Sequence, residues 1–170
     1  MPKELMTKKQ PECHATIKAI LDTAVAQNRN LLEHEAYRIL EAMGLTIPGY
    51  RYVESNKDLN QAFKELGSPV VMKIMSPDIL HKSDVNGVQL NLTSLDDCQR
   101  TWNRFEQTAQ ELQADFQGAL LVAQQKAGPE FIVGAMRDEE FGPVAMIGPG
   151  GILVEILKSP TFFLAPVDPG

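Results

Sequence analysis

A lysine inside an otherwise apolar strand is the first position in this sequence that suggests chemistry. Lys73 follows the run Val70-Val71-Met72, which is typical of a buried strand. Burying an ammonium group costs several kcal/mol unless the charge has a partner, so Lys73 predicts an anionic ligand. The alternative is that Lys73 lies on an edge strand, where its aliphatic stem covers the sheet and its charge stays in water.

The loop 76–87 after this strand carries groups that could bind or transfer phosphate. Ser83 and Gly87 can present a hydroxyl and a backbone N–H group to an anion. His81 lies in the same loop, and an imidazole near neutral pH can act as a nucleophile toward phosphorus or as a general base. The loop matches neither a Walker A loop nor a GxGxxG fingerprint. A lone loop histidine is more often an ordinary surface residue, so spacing alone leaves both interpretations open.

Two further places in the second half of the chain could face a nucleotide. Gly150 and Gly151, followed by apolar residues and Glu155, could form a second phosphate-facing loop or simply a flexible strand connection. Glu130 follows a Gly-Pro turn and could accept a hydrogen bond from a ribose or pair with Lys73. The alternative for Glu130 is an exposed strand end.

Composition narrows the classes of partner. The 170 residues carry a net charge of -6 with acids and bases mixed along the chain, and no basic patch predicts nucleic-acid binding. Cys13 and Cys98 are far apart and have no metal spacing, which favours a reduced, cytoplasmic setting without a zinc site. No apolar run approaches the roughly 18 residues that a membrane span needs. Small molecules or another protein are therefore the expected partners.

Apolar periodicity predicts a first half made of helices and short strands. Ser55 and Ser94 are expected helix N-caps, and Gly44 and Gly67 are expected to end helices. The predicted helices have their apolar faces over residues 17–25, 32–43, 59–66 and 95–112, and the predicted strands cover residues 50–53, 70–73 and 88–92.

The sequence changes character after Gln117, where short strands alternate with turns. The predicted strands are residues 119–124, 130–136, 144–147 and 152–157, arranged as an antiparallel meander. We therefore predict an α/β (α+β) fold with a flexible arm over residues 1–14, an N-terminal lobe over 15–117 and a second lobe over 118–170.

The residues around His81 also match a known pattern. The run Ser76-Pro77-Asp78-Ile79-Leu80-His81-Lys82-Ser83-Asp84, followed by Gly87-Val88, resembles the signature of the ATP-grasp domain of NDP-forming acyl-CoA synthetases, such as acetate–CoA ligase (ADP-forming), which are related to succinyl-CoA synthetase. Further matches follow in the right order at Glu33 with Glu35-Ala36, at residues 67–73, 134–138, 141–144 and 150–152, at Glu155 and at Ala165-Pro166. The resemblance covers roughly residues 17–166 and departs from the family at Asn86, where a second glycine is common.

The resemblance implies a role for each matching position. Lys73 would neutralise the nucleotide phosphates, the loop 83–87 would cover them, and the segment 122–125 would contact adenine. His81 would accept a phosphoryl group in relay with a histidine on the CoA-binding part. The nucleotide-binding residues implied in this way are Lys73, Lys82, Ser83, Asp84, Gly87, Val122, Gln124, Gln125, Glu130, Gly150, Gly151 and Glu155.

The resemblance further implies the reaction acyl-CoA + ADP + phosphate ⇌ acid + CoA + ATP, with ATP or ADP and Mg²⁺ as cofactors. It implies an ATP-grasp fold of two subdomains, with a mixed and an antiparallel sheet. Since the family's Mg²⁺ ligands lie beyond the Ala165-Pro166 segment, we expect them outside this chain and expect the second subdomain to be incomplete at its C-terminus. A CoA-binding alpha subunit or domain is the expected partner in a hetero-oligomer, and the isolated chain is expected to be inactive.

Two other functions fit the same pattern. An ATP-grasp-like module also occurs in protein lysine acetyltransferases, where it acts as a ligand-sensing or structural module. A third possibility is a non-catalytic fragment that only docks a CoA-binding partner. The presence of His81 favours the synthetase, because a sensing module needs no phosphoryl acceptor.

Overall fold

The computed structural model describes residues 10–126, 128–151 and 160–166. The chain forms two compact units, which divide after Gln125. Among the helices in these ranges, none is long and apolar enough to cross a membrane.

The first unit is a four-stranded sheet with helices packed on both of its faces. Its helices are α1 (Gln10–Ala26), α2 (Glu33–Ala42), α3 (Leu59–Leu66) and α4 (Leu95–Glu111). Its strands are β1 (Tyr50–Val53), β2 (Val70–Met75), β3 (Val88–Leu92) and β4 (Gly118–Ala123), and short 3-10 turns cover Asn56–Asp58 and Lys82–Val85. The helices and strands predicted for this half of the chain are therefore confirmed as elements.

The strand order is β1-β4-β2-β3, and every neighbouring pair is antiparallel. Since β4 is antiparallel to both β1 and β2, these two strands run parallel to each other but never touch. The predicted mixed sheet is therefore wrong: the parallel relation that α3 creates between β1 and β2 exists, but β4 inserts between them. The fold is an α/β fold with antiparallel sheets.

Strand β2 divides its side chains between the two faces of the sheet, as the two-residue repeat of a strand requires. Val70, Met72 and Ile74 are buried against α3 and α4, in a core that also contains the fully buried Phe105. The opposite face is covered by α2; its N-cap Leu32 belongs to a smaller apolar cluster there, and its Tyr37 packs against that cluster. Lys73 has the same parity as Val71 and Met75 and therefore points to the α2 face.

The second unit contains a three-stranded antiparallel sheet in the order β5-β6-β7. Its strands are β5 (Phe131–Asp138), β6 (Gly142–Pro149) and β7 (Thr161–Leu164). Apolar side chains on this sheet stay accessible, for example Phe131 at 72% and Val133 at 74% exposure. The strands predicted over residues 130–136 and 144–147 are confirmed as β5 and β6, whereas the strand predicted over 152–157 lies outside the described residues.

Two predicted boundaries differ from the structure. The segment 118–123 was expected to open the second lobe, but it forms β4 inside the first sheet, and the chain divides after Gln125 instead of Gln117. The physical reason is burial, because the apolar run 119–122 is covered on both faces, as suits an interior strand. The predicted flexible arm is also too long, since α1 already begins at Gln10.

Candidate functional site

Lys73 lies in the middle of an interior strand. Its backbone pairs with Val88 of β3 on one side and with Leu120 of β4 on the other. The edge-strand alternative for this lysine is therefore wrong. Its side chain keeps only a quarter of its surface exposed, and its ammonium forms an ion pair with the carboxylate of Glu33.

Glu33 is the first residue of α2 and contacts two lysines at once. Its Oε1 pairs with Lys73, and its Oε2 lies 3.4 Å from Nζ of Lys82. All three side chains are 19–25% exposed, so this cluster is half-buried and still open to water. We call these three residues the lysine–glutamate cluster. Sequence reasoning missed Glu33 as a site residue and offered Glu130 as the carboxylate for Lys73; the signal available was the motif position of Glu33.

Tyr37 forms the aromatic side of the lysine–glutamate cluster. It follows Glu33 by one helical turn and therefore shares its face of α2. Burial raises the pKa of Tyr37; the charge of Lys73 opposes this shift and that of Glu33 adds to it. The ring also packs edge-on against Tyr50, with 5.0 Å between centroids.

The first half of the loop 76–87 is anchored to the body of the unit. The buried hydroxyl of Ser76 accepts a hydrogen bond from the Asp78 N–H at 3.1 Å. The Asp78 carboxylate in turn accepts the Asp115 N–H at 2.7 Å. Ile79 is 6% exposed and joins the core under α4. These contacts fix where the loop leaves the sheet.

The second half of the loop is closed by Gly87. Its N–H donates to the Lys82 carbonyl at 2.7 Å, and its carbonyl accepts the Ile74 N–H at 2.8 Å. A Cβ at this position would lie 2.5 Å from Cγ2 of Ile74 and 2.9 Å from the Lys82 carbonyl oxygen, so only glycine fits. Asn86 before it has φ = 53°, in the left-handed region that asparagine tolerates. The asparagine that departs from the family pattern is thus compatible with this turn.

His81 lies between the two anchored halves of the loop. Its side chain is exposed, and within the described part of the chain its ring makes no hydrogen bond to protein. Its carbonyl accepts the Asp84 N–H at 3.2 Å and so starts the 3-10 turn. Ser83 and Asp84 are also exposed. The structure therefore presents the imidazole to solvent one residue before Lys82, whose ammonium belongs to the lysine–glutamate cluster.

The predicted adenine segment 122–125 begins in β4 and extends past its end. Val122 is 6% exposed and lies on the α2 face, two positions from the Leu120 that pairs with Lys73. Gln124 exchanges hydrogen bonds with Asn91, accepting its N–H at 2.8 Å and donating to its Oδ1 at 2.6 Å. Gln125 is exposed and donates to the Ala123 carbonyl at 3.0 Å.

Three of the candidates in the second unit lie close to one another. The Gly150 N–H donates to the Glu130 carbonyl at 2.7 Å. A Cβ on Gly151 would lie 2.7 Å from Oε2 of Glu130, so this glycine lets the carboxylate approach the turn. Glu155 lies outside the described residues. The roles of these residues toward a nucleotide stay predictions.

Possible metal ligands were expected outside this chain. Over residues 10–126, 128–151 and 160–166, no group of three or more His, Cys, Asp or Glu side chains could hold a metal ion. The expectation that the ligands lie outside this chain stays a prediction.

Comparison with known proteins gives a consistent family. A profile of the ATP-grasp domain matches residues 23–170. The beta subunit of acetate–CoA ligase (ADP-forming) I from Pyrococcus furiosus is 39% identical over 155 residues, which is 90% of this chain and 67% of that protein. The 4-hydroxybutyrate–CoA ligase (ADP-forming) of Nitrosopumilus maritimus is 42% identical over 156 residues, 90% of this chain but 22% of that protein. The chain thus spans about two thirds of the beta subunit and about a fifth of the longer ligase.

Solved structures agree with the sequence relatives. The acetyl-coenzyme A synthetase 1 of Ca. Korarchaeum cryptofilum, in complex with coenzyme A and Ca-AMPCP, superposes with a TM-score of 0.83 at 33% identity, covering 89% of this chain and 67% of that one. A form of that enzyme with Mg-AMPPCP, whose phosphohistidine segment points towards the nucleotide-binding site, gives a TM-score of 0.72 at 32% identity, covering 89% and 65%.

The chain therefore belongs to the ATP-grasp domain family. Within that family it is the ATP-grasp part of an ADP-forming acyl-CoA synthetase, that is, a subunit or domain of an acid–CoA ligase.

Proposed function

We propose that this chain binds the nucleotide in the reaction acyl-CoA + ADP + phosphate ⇌ acid + CoA + ATP and that His81 carries the phosphoryl group. The observation that supports this most is the convergence of Lys73 and Lys82 on one half-buried carboxylate, with the exposed His81 adjacent to Lys82 in the chain. Two ammonium groups that share one carboxylate suit an anion with several oxygens, such as a nucleotide phosphate.

The chemistry at His81 is an in-line exchange of bonds to phosphorus. A ring nitrogen of His81 forms a P–N bond while the P–N bond to a histidine of the CoA-binding part breaks. A terminal phosphate oxygen of ADP then forms the new P–O bond as the P–N bond to His81 breaks. The proton that His81 gives up is balanced by the one that the departing imidazole takes up. Positioning and charge neutralisation account for most of the rate in such transfers, and Lys73 and Lys82 supply the charge here.

The remaining nucleotide contacts follow from the same proposal. Ser83, Asp84 and Gly87 belong to the loop that would cover the phosphates, and the segment 122–125 would lie along the base. A CoA-binding alpha subunit is the proposed partner, because two relatives, of which this chain spans about two thirds, are themselves beta subunits of acetate–CoA ligase. Bound Mg²⁺ would add charge neutralisation at the phosphates.

Phosphorylation of the chain tests the proposal directly. The chain is reconstituted with its CoA-binding partner and incubated with Mg²⁺ and ATP labelled at the γ-phosphate. We expect protein-bound label that is stable in base and lost in acid, as for a phosphohistidine. The label should disappear in His81→Ala and persist in His14→Ala, a matched change at an exposed histidine of α1. A wild-type complex without label, or a His81→Ala complex that keeps it, would contradict the proposal.

A further inference from the structure

We propose that Glu33 is a positioning residue that couples the nucleotide-binding lysine to the histidine-bearing loop; this rests on the function proposed above. Each oxygen of its carboxylate contacts a different lysine: Lys73 on the sheet and Lys82 in the loop. A single side chain thereby joins a rigid strand to the segment that begins with His81.

Glu33 itself stands on a fixed support. The first turn of α2 is held by Glu35, whose carboxylate accepts the Leu32 N–H at 2.8 Å and two hydrogen bonds from Arg29 at 2.7 Å each. Tyr37 on the same helix packs into the apolar cluster on the sheet. Side chains that orient others work best from rigid elements with their own supporting contacts, and Glu33 meets this condition.

The loop next to His81 is attached to the first unit at three places. The 3-10 turn Lys82–Val85 is tied to β2 through Gly87, to the main core through the partly buried Val85, and to α2 through the Lys82–Glu33 ion pair. His81, Ser83 and Asp84 around that ion pair are exposed. The Lys82–Glu33 contact is therefore the tether that ties the turn next to the imidazole to α2.

The need for two acceptor oxygens distinguishes glutamate from glutamine here. In Glu33→Gln the amide oxygen can still accept from Lys73, but the NH₂ group has no lone pair for the Lys82 ammonium. The substitution therefore keeps the contact to the sheet lysine and removes the contact to the loop. If the two ion pairs were purely structural, Glu33→Gln would lower the stability of the fold but would not affect the Lys82 contact more than the Lys73 contact.

The kinetic test uses the reconstituted complex and the rate of label transfer from γ-labelled ATP. We expect Glu33→Gln to lower the maximal rate by roughly tenfold, because a misplaced reacting group reacts more slowly, with KM for ATP changed by less than about threefold. In a double-mutant cycle, Lys82→Met should cost less in the Glu33→Gln background than in the wild type. Equal costs, or a wild-type rate in Glu33→Gln, would overturn the inference.

A second readout does not depend on activity. Amide hydrogen exchange of the peptide containing residues 82–87 reports the opening of the turn, since the Gly87 N–H is bonded to the Lys82 carbonyl. Glu33→Gln should speed this exchange by roughly three- to tenfold, as expected for the loss of one half-buried ion pair. The matched control is Glu65→Gln, which removes the exposed ion pair with Arg51 and should leave the turn unchanged. Unchanged exchange in Glu33→Gln would contradict the tether.

The two proposals fail in different ways. If the wild-type complex acquires the His81 label but Glu33→Gln matches it in rate and in exchange, only the role of Glu33 is wrong. If the wild-type complex acquires no label while the turn still opens faster in Glu33→Gln, the tether stands as a structural contact and the proposed function is wrong.

Discussion

Substitution of Glu35 by alanine should destabilise the first unit strongly. Glu35 and Arg29 form a two-pronged ion pair with side-chain exposures of only 10% and 13%. Removing one partner of a buried ion pair costs about 3–5 kcal/mol of stability. Because both side chains here keep some exposure, we expect Glu35→Ala to lose about 3 kcal/mol from this ion pair. The lost acceptor for the Leu32 N–H at the helix start adds about 1 kcal/mol. The expected loss of about 4 kcal/mol is a large part of a typical folding free energy of about 5–15 kcal/mol.

Urea unfolding followed by tryptophan fluorescence measures this loss in the right part of the molecule. Trp102 is the only tryptophan in the sequence and is 2% exposed in the core of the first unit. With a urea slope of about 2 kcal/mol per molar, Glu35→Ala should lower the midpoint by about 2 M. The control is Asp22→Ala, which breaks an ion pair with Lys18 whose side chains are 62% and 74% exposed and should shift the midpoint little.

The pH dependence of this difference follows from the pKa of Glu35. Hydrogen bonding to Arg29 lowers that pKa in the folded state, although burial opposes the shift. The ionised carboxylate therefore stabilises the fold above its unfolded pKa of about 4.5, and this contribution is lost as the pH falls through the lower folded value. The gap between wild type and Glu35→Ala should be constant near neutrality and shrink in acid. A neutral-pH difference below about 1 kcal/mol would refute the assignment of a stabilising buried pair.

Three further outcomes are expected in the first unit. Gly118→Ala should cost at least about 3 kcal/mol in the urea titration, because its Cβ would lie 2.1 Å from the Val53 carbonyl oxygen at a φ of 121°; a neutral effect would contradict this packing. Gly87→Ala should cost about 2 kcal/mol and raise KM for ADP, since the loop must shift; an unchanged KM would argue against the loop's role. Burial lowers the pKa of His34 in the folded state, so as the pH falls the unfolded state takes up a proton before the folded state does. Stability should therefore fall as the pH drops below about 6.5. His34→Phe, which keeps the stack on Tyr52, should flatten that part of the profile, and an unaltered slope would exclude His34 as its source.

Local patterns in the sequence were enough to predict most elements of the first unit. Apolar periodicity located α2, α3 and α4, and the expected cap Ser94 does accept the Asp97 N–H at 3.1 Å. The buried strand around Lys73 was also predictable, because its neighbours in the chain are uniformly apolar. These features depend on interactions between residues that are close in sequence.

The order of strands and the partner of Lys73 depend on distant residues, and here prediction failed. The run 119–122 is apolar in any strand order, so nothing in it indicates that it pairs with both β1 and β2. In the sequence, Glu33 likewise looks like an ordinary acidic residue at the start of a helix. Only the packing of α2 across the sheet brings it to Lys73. The exposed position of His81 agrees with expectation, and its chemical role stays a prediction.

The insertion of β4 between β1 and β2 also constrains when the first unit can fold. Tyr50 at the start of β1 pairs with Val122 near the end of β4. The β1–β4 edge of the sheet can therefore form only after almost all of the first unit has been synthesised. Pairings between such distant segments slow folding, since the chain must lose loop entropy before the contact forms. On the ribosome, β1 therefore stays without its partner strand until β4 emerges from the exit tunnel, and an unpaired strand can pair with other chains during that interval.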